Sequence, residues 1–79
     1  MQDLIDYTLD LLEPLGVEAY EVKGEGDTIT VTPRSDKTAA AVIGKDGATV
    51  KALQRLVRVV GFALYQKRFR LVVDQSEAK

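Results

Sequence analysis

Val42-Ile43-Gly44-Lys45-Asp46-Gly47-Ala48-Thr49-Val50-Lys51-Ala52-Leu53-Gln54-Arg55-Leu56 is the stretch that decides the fold. It reads as the end of a short helix, a four-residue Gly-Lys-Asp-Gly turn, and the start of a longer helix. Gly44 can close the first helix at positive φ because it has no Cβ to clash. Gly47 lets backbone or ligand come close where the second helix begins. The first amides of that helix have no internal acceptor. Its dipole adds partial positive charge at the same point, so the place suits a phosphate. Lys45 supplies a full positive charge within reach of the same anion. Two glycines around a turn are equally what a tight helix–turn–helix needs, so their setting has to decide between the readings.

Downstream, the spacing predicts a helix from Ala48 to about Gln66. Val50, Leu53, Val57, Val60 and Leu64 recur at three and four and define a core face, which Leu56 and Ala63 widen. Lys51, Arg55 and Arg58 fall on the opposite side. Phe62 projects among them, either packing against the end of the chain or meeting a second copy. Gly61 costs about 1 kcal/mol in a helix interior, which points to a close crossing there. Arg68 to Asp74 reads as a last strand, with Phe69, Leu71 and Val73 inward and Arg68 and Arg70 outward.

Upstream, Thr38 to Ile43 is a short helix capped by Ser35 or Asp36. Its three alanines permit close packing or leave a shallow wall. Thr28-Ile29-Thr30-Val31-Thr32 alternates cleanly and reads as a half-buried strand of an antiparallel pair, with helices on one side. Pro33 stops it. Gly24-Glu25-Gly26-Asp27 has turn composition, and Val17 to Lys23 is the partner strand. Leu4, Ile5, Thr8, Leu9, Leu11, Leu12 and Leu15 mark a first helix of about four turns. Pro14 and Gly16 should make its last turn irregular. Asp46 is placed to cap the long helix. The order is α–β–β–α–α–β, an α+β arrangement of three helices on one sheet.

Composition narrows the chemistry. The 79 residues make one domain with a small core, ordered over about residues 3–75. There is no cysteine and no histidine, which excludes disulfides, thiolate metal sites and His-based triads. No carboxylate pair has catalytic spacing, so neither enzyme activity, metal nor cofactor is expected. No apolar run approaches the ~20 residues of a membrane span, and no signal peptide opens the chain, so a cytoplasmic location is expected. The net charge of −1 conceals a strong asymmetry. Residues 1–27 hold eight acids and one base, whereas residues 28–79 hold ten bases and four acids.

Taken together, the element order and the Val-Ile-Gly-Lys-Asp-Gly junction resemble a type II (prokaryotic) K-homology domain. The resemblance spans nearly the whole chain. Ala52–Val57 (Ala-Leu-Gln-Arg-Leu-Val) and Leu11–Gly16 (Leu-Leu-Glu-Pro-Leu-Gly) are similar to the K-homology domain of the bacterial Jag family, and the length matches small single-domain K-homology proteins of bacteria. The resemblance implies a three-stranded mixed sheet covered on one face by three helices. It also implies binding of single-stranded RNA, with single-stranded DNA left open, about four nucleotides being clamped by the glycine loop. Carried over residue by residue, the clamp is Gly44, Lys45, Asp46 and Gly47. The groove floor is Val42 and Ile43, with Ala40 and Val50 beside them. The opposite wall is Ile29, Thr30, Val31 and Arg34. Lys45 is the expected phosphate contact, with Arg34, Lys51 and Arg55 as second contacts.

No aromatic residue falls on that groove, and the acidic Gly24–Asp27 stretch and Asp46 weaken attraction for an anion. Weak, salt-dependent binding by the isolated domain follows, with avidity recovered through a homodimer or a second RNA-binding protein. A post-transcriptional or ribosomal role is the expectation. The competing reading is a degenerate K-homology fold used for protein interaction, dimerising through Val59 and Phe62.

Overall fold

The computed structural model describes residues 1–17 and 20–78. Helix α1 (Gln2–Leu12) runs into a 3₁₀ turn, Glu13–Leu15, closed by Gly16 at φ 67°. This is the irregular last turn expected from Pro14. Strands β1 (Tyr20–Glu25) and β2 (Thr28–Pro33) form a hairpin. Helix α2 (Asp36–Ile43) and the long helix α3 (Ala48–Tyr65) follow, joined by a 3₁₀ turn over Lys45–Gly47, and strand β3 (Arg70–Val73) ends the fold.

The sheet order is β1-β2-β3, with β1 and β2 antiparallel and β2 and β3 parallel. It is thus a mixed three-stranded sheet in an α+β fold. Parallel pairing of β2 with β3 requires a crossover, which α2 and α3 supply. Ile29, Val31 and Leu71 are buried from the sheet side, and Leu4, Leu12, Val42, Leu53, Val57 and Phe69 meet them from the helices and the approach to β3. Each fully buried aliphatic side chain contributes about 1.5–3 kcal/mol, so this one cluster holds the layers together.

Several local expectations change in the fold. The expected hairpin loop over Gly24–Asp27 is shorter, because Gly24 and Glu25 belong to β1 and pair with Ile29 and Thr28. Gly24 serves the strand by lacking a Cβ, since one would lie 3.0 Å from Met1 Cγ and overlap its sulfur. The N-terminus of α1 can therefore rest on β1. Glu18 and Ala19, in the first half of the expected Val17–Lys23 strand, lie outside the described residues. Between Ser35 and Asp36 the cap is Ser35, whose Oγ accepts from the Thr38 amide at 3.1 Å.

On α3 the core face is narrower than the spacing suggests. Leu53 and Val57 are buried, but Leu56, Ala63 and Leu64 are exposed. The helix has 18 residues and β3 only four. At about 1.5 Å rise per helical residue and about 3.3 Å per strand residue, the helix overhangs its strand. Near its C-terminal end the core contact passes to Gly61, which is buried against Phe69. A Cβ on Gly61 would stand 2.7 Å from Phe69 Cδ1, so the missing side chain does permit a close approach. Gln54 Nε2 donates to the Leu71 carbonyl at 3.2 Å, tying α3 to β3.

Candidate nucleic-acid interface

The turn between α2 and α3 is built from three residues at positive φ. Gly44 lies at φ 76°, ψ 176°; Asp46 at φ 55°, ψ 26°; and Gly47 at φ 76°, ψ 12°. Gly44 closes α2 through its amide, which donates to the Ala40 carbonyl at 2.8 Å, and Gly47 N–H donates to the Gly44 carbonyl at 3.2 Å. The two glycines do different jobs. A Cβ on Gly44 would collide with Thr49, lying 2.8 Å from its backbone nitrogen, whereas one on Gly47 would meet nothing nearer than 3.9 Å. Gly44 is required by space as well as by backbone conformation; Gly47 is required by conformation alone. Nothing in the local sequence marks Thr49 as the residue that occupies this space.

Asp46 does not cap α3. The N-cap is Gly47, and no side chain caps that helix. Asp46 stands one position too early and in the left-handed region, which non-glycine residues enter at a cost of about 1–2 kcal/mol. At the start of α3 the Gly47 and Ala48 amides are taken by the Gly44 and Lys45 carbonyls. The amides just beyond them lack an acceptor within the helix, and no side chain among the described residues caps them. Lys45 and Asp46 are both exposed at the tip.

The other expected contact residues separate into three groups. Lys51 and Arg55 are exposed on α3, and a Cβ on Gly47 would lie 3.9 Å from Lys51 Cε, so the Lys51 side chain runs back toward the turn. Ile43 and Val50 are half-buried and Ala40 is exposed, so they can form an apolar floor; Val42, expected in that floor, is instead fully buried in the core. The expected wall does not form as a unit. Ile29 and Val31 are fully buried in the core. Thr30 alternates to the other face of β2, in register with Lys23 and Val72.

Arg34 is engaged elsewhere. Its Nη2 lies 2.7 Å from Glu21 Oε2, and its Nη1 lies 3.4 Å from Glu77 Oε1. Glu21 also pairs with Lys23 at 3.1 Å. The hydrogen bond and charge of Lys23, with Arg34 behind them, hold the Glu21 carboxyl below its ordinary pKa. By contrast, none of Lys45, Lys51, Arg55, Arg58 or Arg68 takes part in an ion pair among the described residues.

Among the described residues no cluster of three acidic side chains converges to hold a metal ion, and no helix is long and apolar enough to cross a membrane. No family model, no curated protein and no solved structure matches the chain.

Proposed function

We propose that this chain is a non-catalytic, single-stranded RNA-binding module of the type II K-homology kind, clamping about four nucleotides at the Gly44–Gly47 turn. The observation that carries the proposal is the turn itself. An exposed lysine stands between two glycines at positive φ, and the helix that follows begins without a side-chain cap. Such a geometry offers backbone donors and one cation to a phosphate. The element order supports the same reading, as do Lys51 and Arg55, exposed on α3 and in no ion pair among the described residues. The apolar floor of Ile43, Val50 and Ala40 lets bases lie flat without aromatic stacking, and binding by one domain is accordingly weak.

The test is Lys45→Asp, with affinity for mixed-sequence single-stranded RNA measured at low salt. Reversing the charge at the clamp should lower affinity at least about tenfold, since phosphate contacts dominate such binding. The melting temperature should not move, because Lys45 is exposed and forms no ion pair among the described residues. Equal RNA affinity in the two proteins would overturn the reading.

A further inference from the structure

Residues 47–73 contain six bases and no acid. Two of the six have partners within the fold. Lys67 Nζ donates to the Gly26 carbonyl at 3.4 Å and sits 5.6 Å from the Phe69 ring centroid, and Arg70 Nε donates to Thr28 Oγ1 at 3.2 Å. The other four, Lys51, Arg55, Arg58 and Arg68, are exposed and form no ion pair among the described residues. Lys51, Arg55, Arg58 and Phe62 follow one another at intervals of four, three and four. They therefore lie in one stripe on α3, extending roughly 16 Å from the side of the glycine turn at 1.5 Å per residue. At the far end Arg58, Val59, Phe62 and Arg68 surround an open hollow of about 460 Å³. Phe62 is 55% exposed and Val59 59%.

We infer that this hollow is a second single-strand contact: Phe62 stacks a base, Arg58 and Arg68 hold the flanking phosphates, and the α3 stripe carries the strand there from the turn. The inference rests on the RNA-binding reading above. An exposed aromatic ring beside unpaired guanidinium groups is the chemistry that holds single strands without sequence preference. The four-nucleotide clamp lacks such a ring. An exposed apolar patch can also serve a protein partner. A symmetric second copy centred on this hollow, however, would gather Arg58 and Arg68 of both copies around one axis, and residues 47–73, which supply the stripe and the hollow, hold no acid to set between them. A polyanion meets the same surface with its charge satisfied.

The test compares oligouridine of four nucleotides with a strand of about twelve, a length within the range of single-strand sites, on the intact chain and on Phe62→Ala and Phe62→Tyr. Phe62→Ala should weaken the longer strand about tenfold, the scale of one lost base stack, and leave the shorter one unchanged; Phe62→Tyr should restore the longer strand. The Phe62 ring signals in NMR should shift with the longer strand only. Unchanged affinity of Phe62→Ala for the longer strand overturns the inference while leaving the clamp standing. A dimer that Phe62→Ala dissociates, with affinity for the longer strand unaltered, assigns the patch to a second copy and overturns it likewise. If neither strand binds the intact chain, the RNA-binding reading falls and this inference with it.

Discussion

Arg34, just past the end of β2, reaches back to Glu21 on β1 and places its guanidinium 2.7 Å from that carboxylate. Glu21 is in register with Thr32, so the pair crosses the hairpin diagonally to a residue two positions further on, and Lys23 and Glu77 extend it to four charges. An arginine held in this way presents less free charge to an anion than its exposure implies.

Glu21 has a folded-state pKa below its ordinary 4.5, so its contribution to stability is present above that value and is lost as pH falls through the lower folded value. Glu21→Gln should flatten the acid side of the stability profile below about pH 4.5, as measured by urea unfolding across that range. The same change releases Arg34 from its nearer partner. If Arg34 lies along the bound strand, RNA affinity rises and the slope of log K against log salt steepens by about 0.7. An unchanged slope removes Arg34 from the interface.

Gly44 and Gly47 should respond differently to alanine. Gly44→Ala forces a Cβ onto Thr49 at a backbone conformation open mainly to glycine, and should cost about 3 kcal/mol or more. Gly47→Ala has room and bears only left-handed strain, about 1–2 kcal/mol. Thermal unfolding of the two variants checks the order, and comparable losses would contradict the assigned roles.

Asp46 brings a carboxylate to the tip of the Gly44–Gly47 turn and occupies the left-handed region without capping α3. Asp46→Asn keeps a side chain that tolerates this conformation and removes the negative charge. It should tighten RNA binding several-fold at low salt, an advantage that shrinks as salt screens it, with melting temperature unchanged or slightly higher. Weaker binding by Asp46→Asn would show that the carboxylate serves the site.

Gly61→Ala gains about 1 kcal/mol of helix propensity but drives a methyl group into the Phe69 ring, and overpacking costs about 1–3 kcal/mol. We expect a net loss near 1 kcal/mol. Phe69→Leu combined with Gly61→Ala should cost less than the two single changes added together. Strict additivity in a double-mutant cycle would mean that the two residues are not in conflict.

Features set by residues a few positions apart were legible in the chain: the Gly44 closure of α2, the irregular turn at Pro14, the cap of α2 to within Ser35 or Asp36, and the cationic stripe of α3. They depend on local backbone conformation and on helical periodicity, both of which follow from residue type and spacing. The close contact behind Gly61 was legible as well, because glycine in a long helix needs a reason.

Only the tertiary structure decided which cations remain free. Arg34 finds Glu21 thirteen residues back and Glu77 forty-three ahead, separations at which spacing carries no information. It also withdrew Ile29 and Val31 from the expected groove, because the face they share is the one the helices cover. It exposed Leu56, because the covered face at that level is only as wide as Leu53 and Val57, and Leu64, which lies near the end of a helix that outruns the strand beneath it. Periodicity names the faces of an element, but burial depends on what lies across from each face and how far it extends.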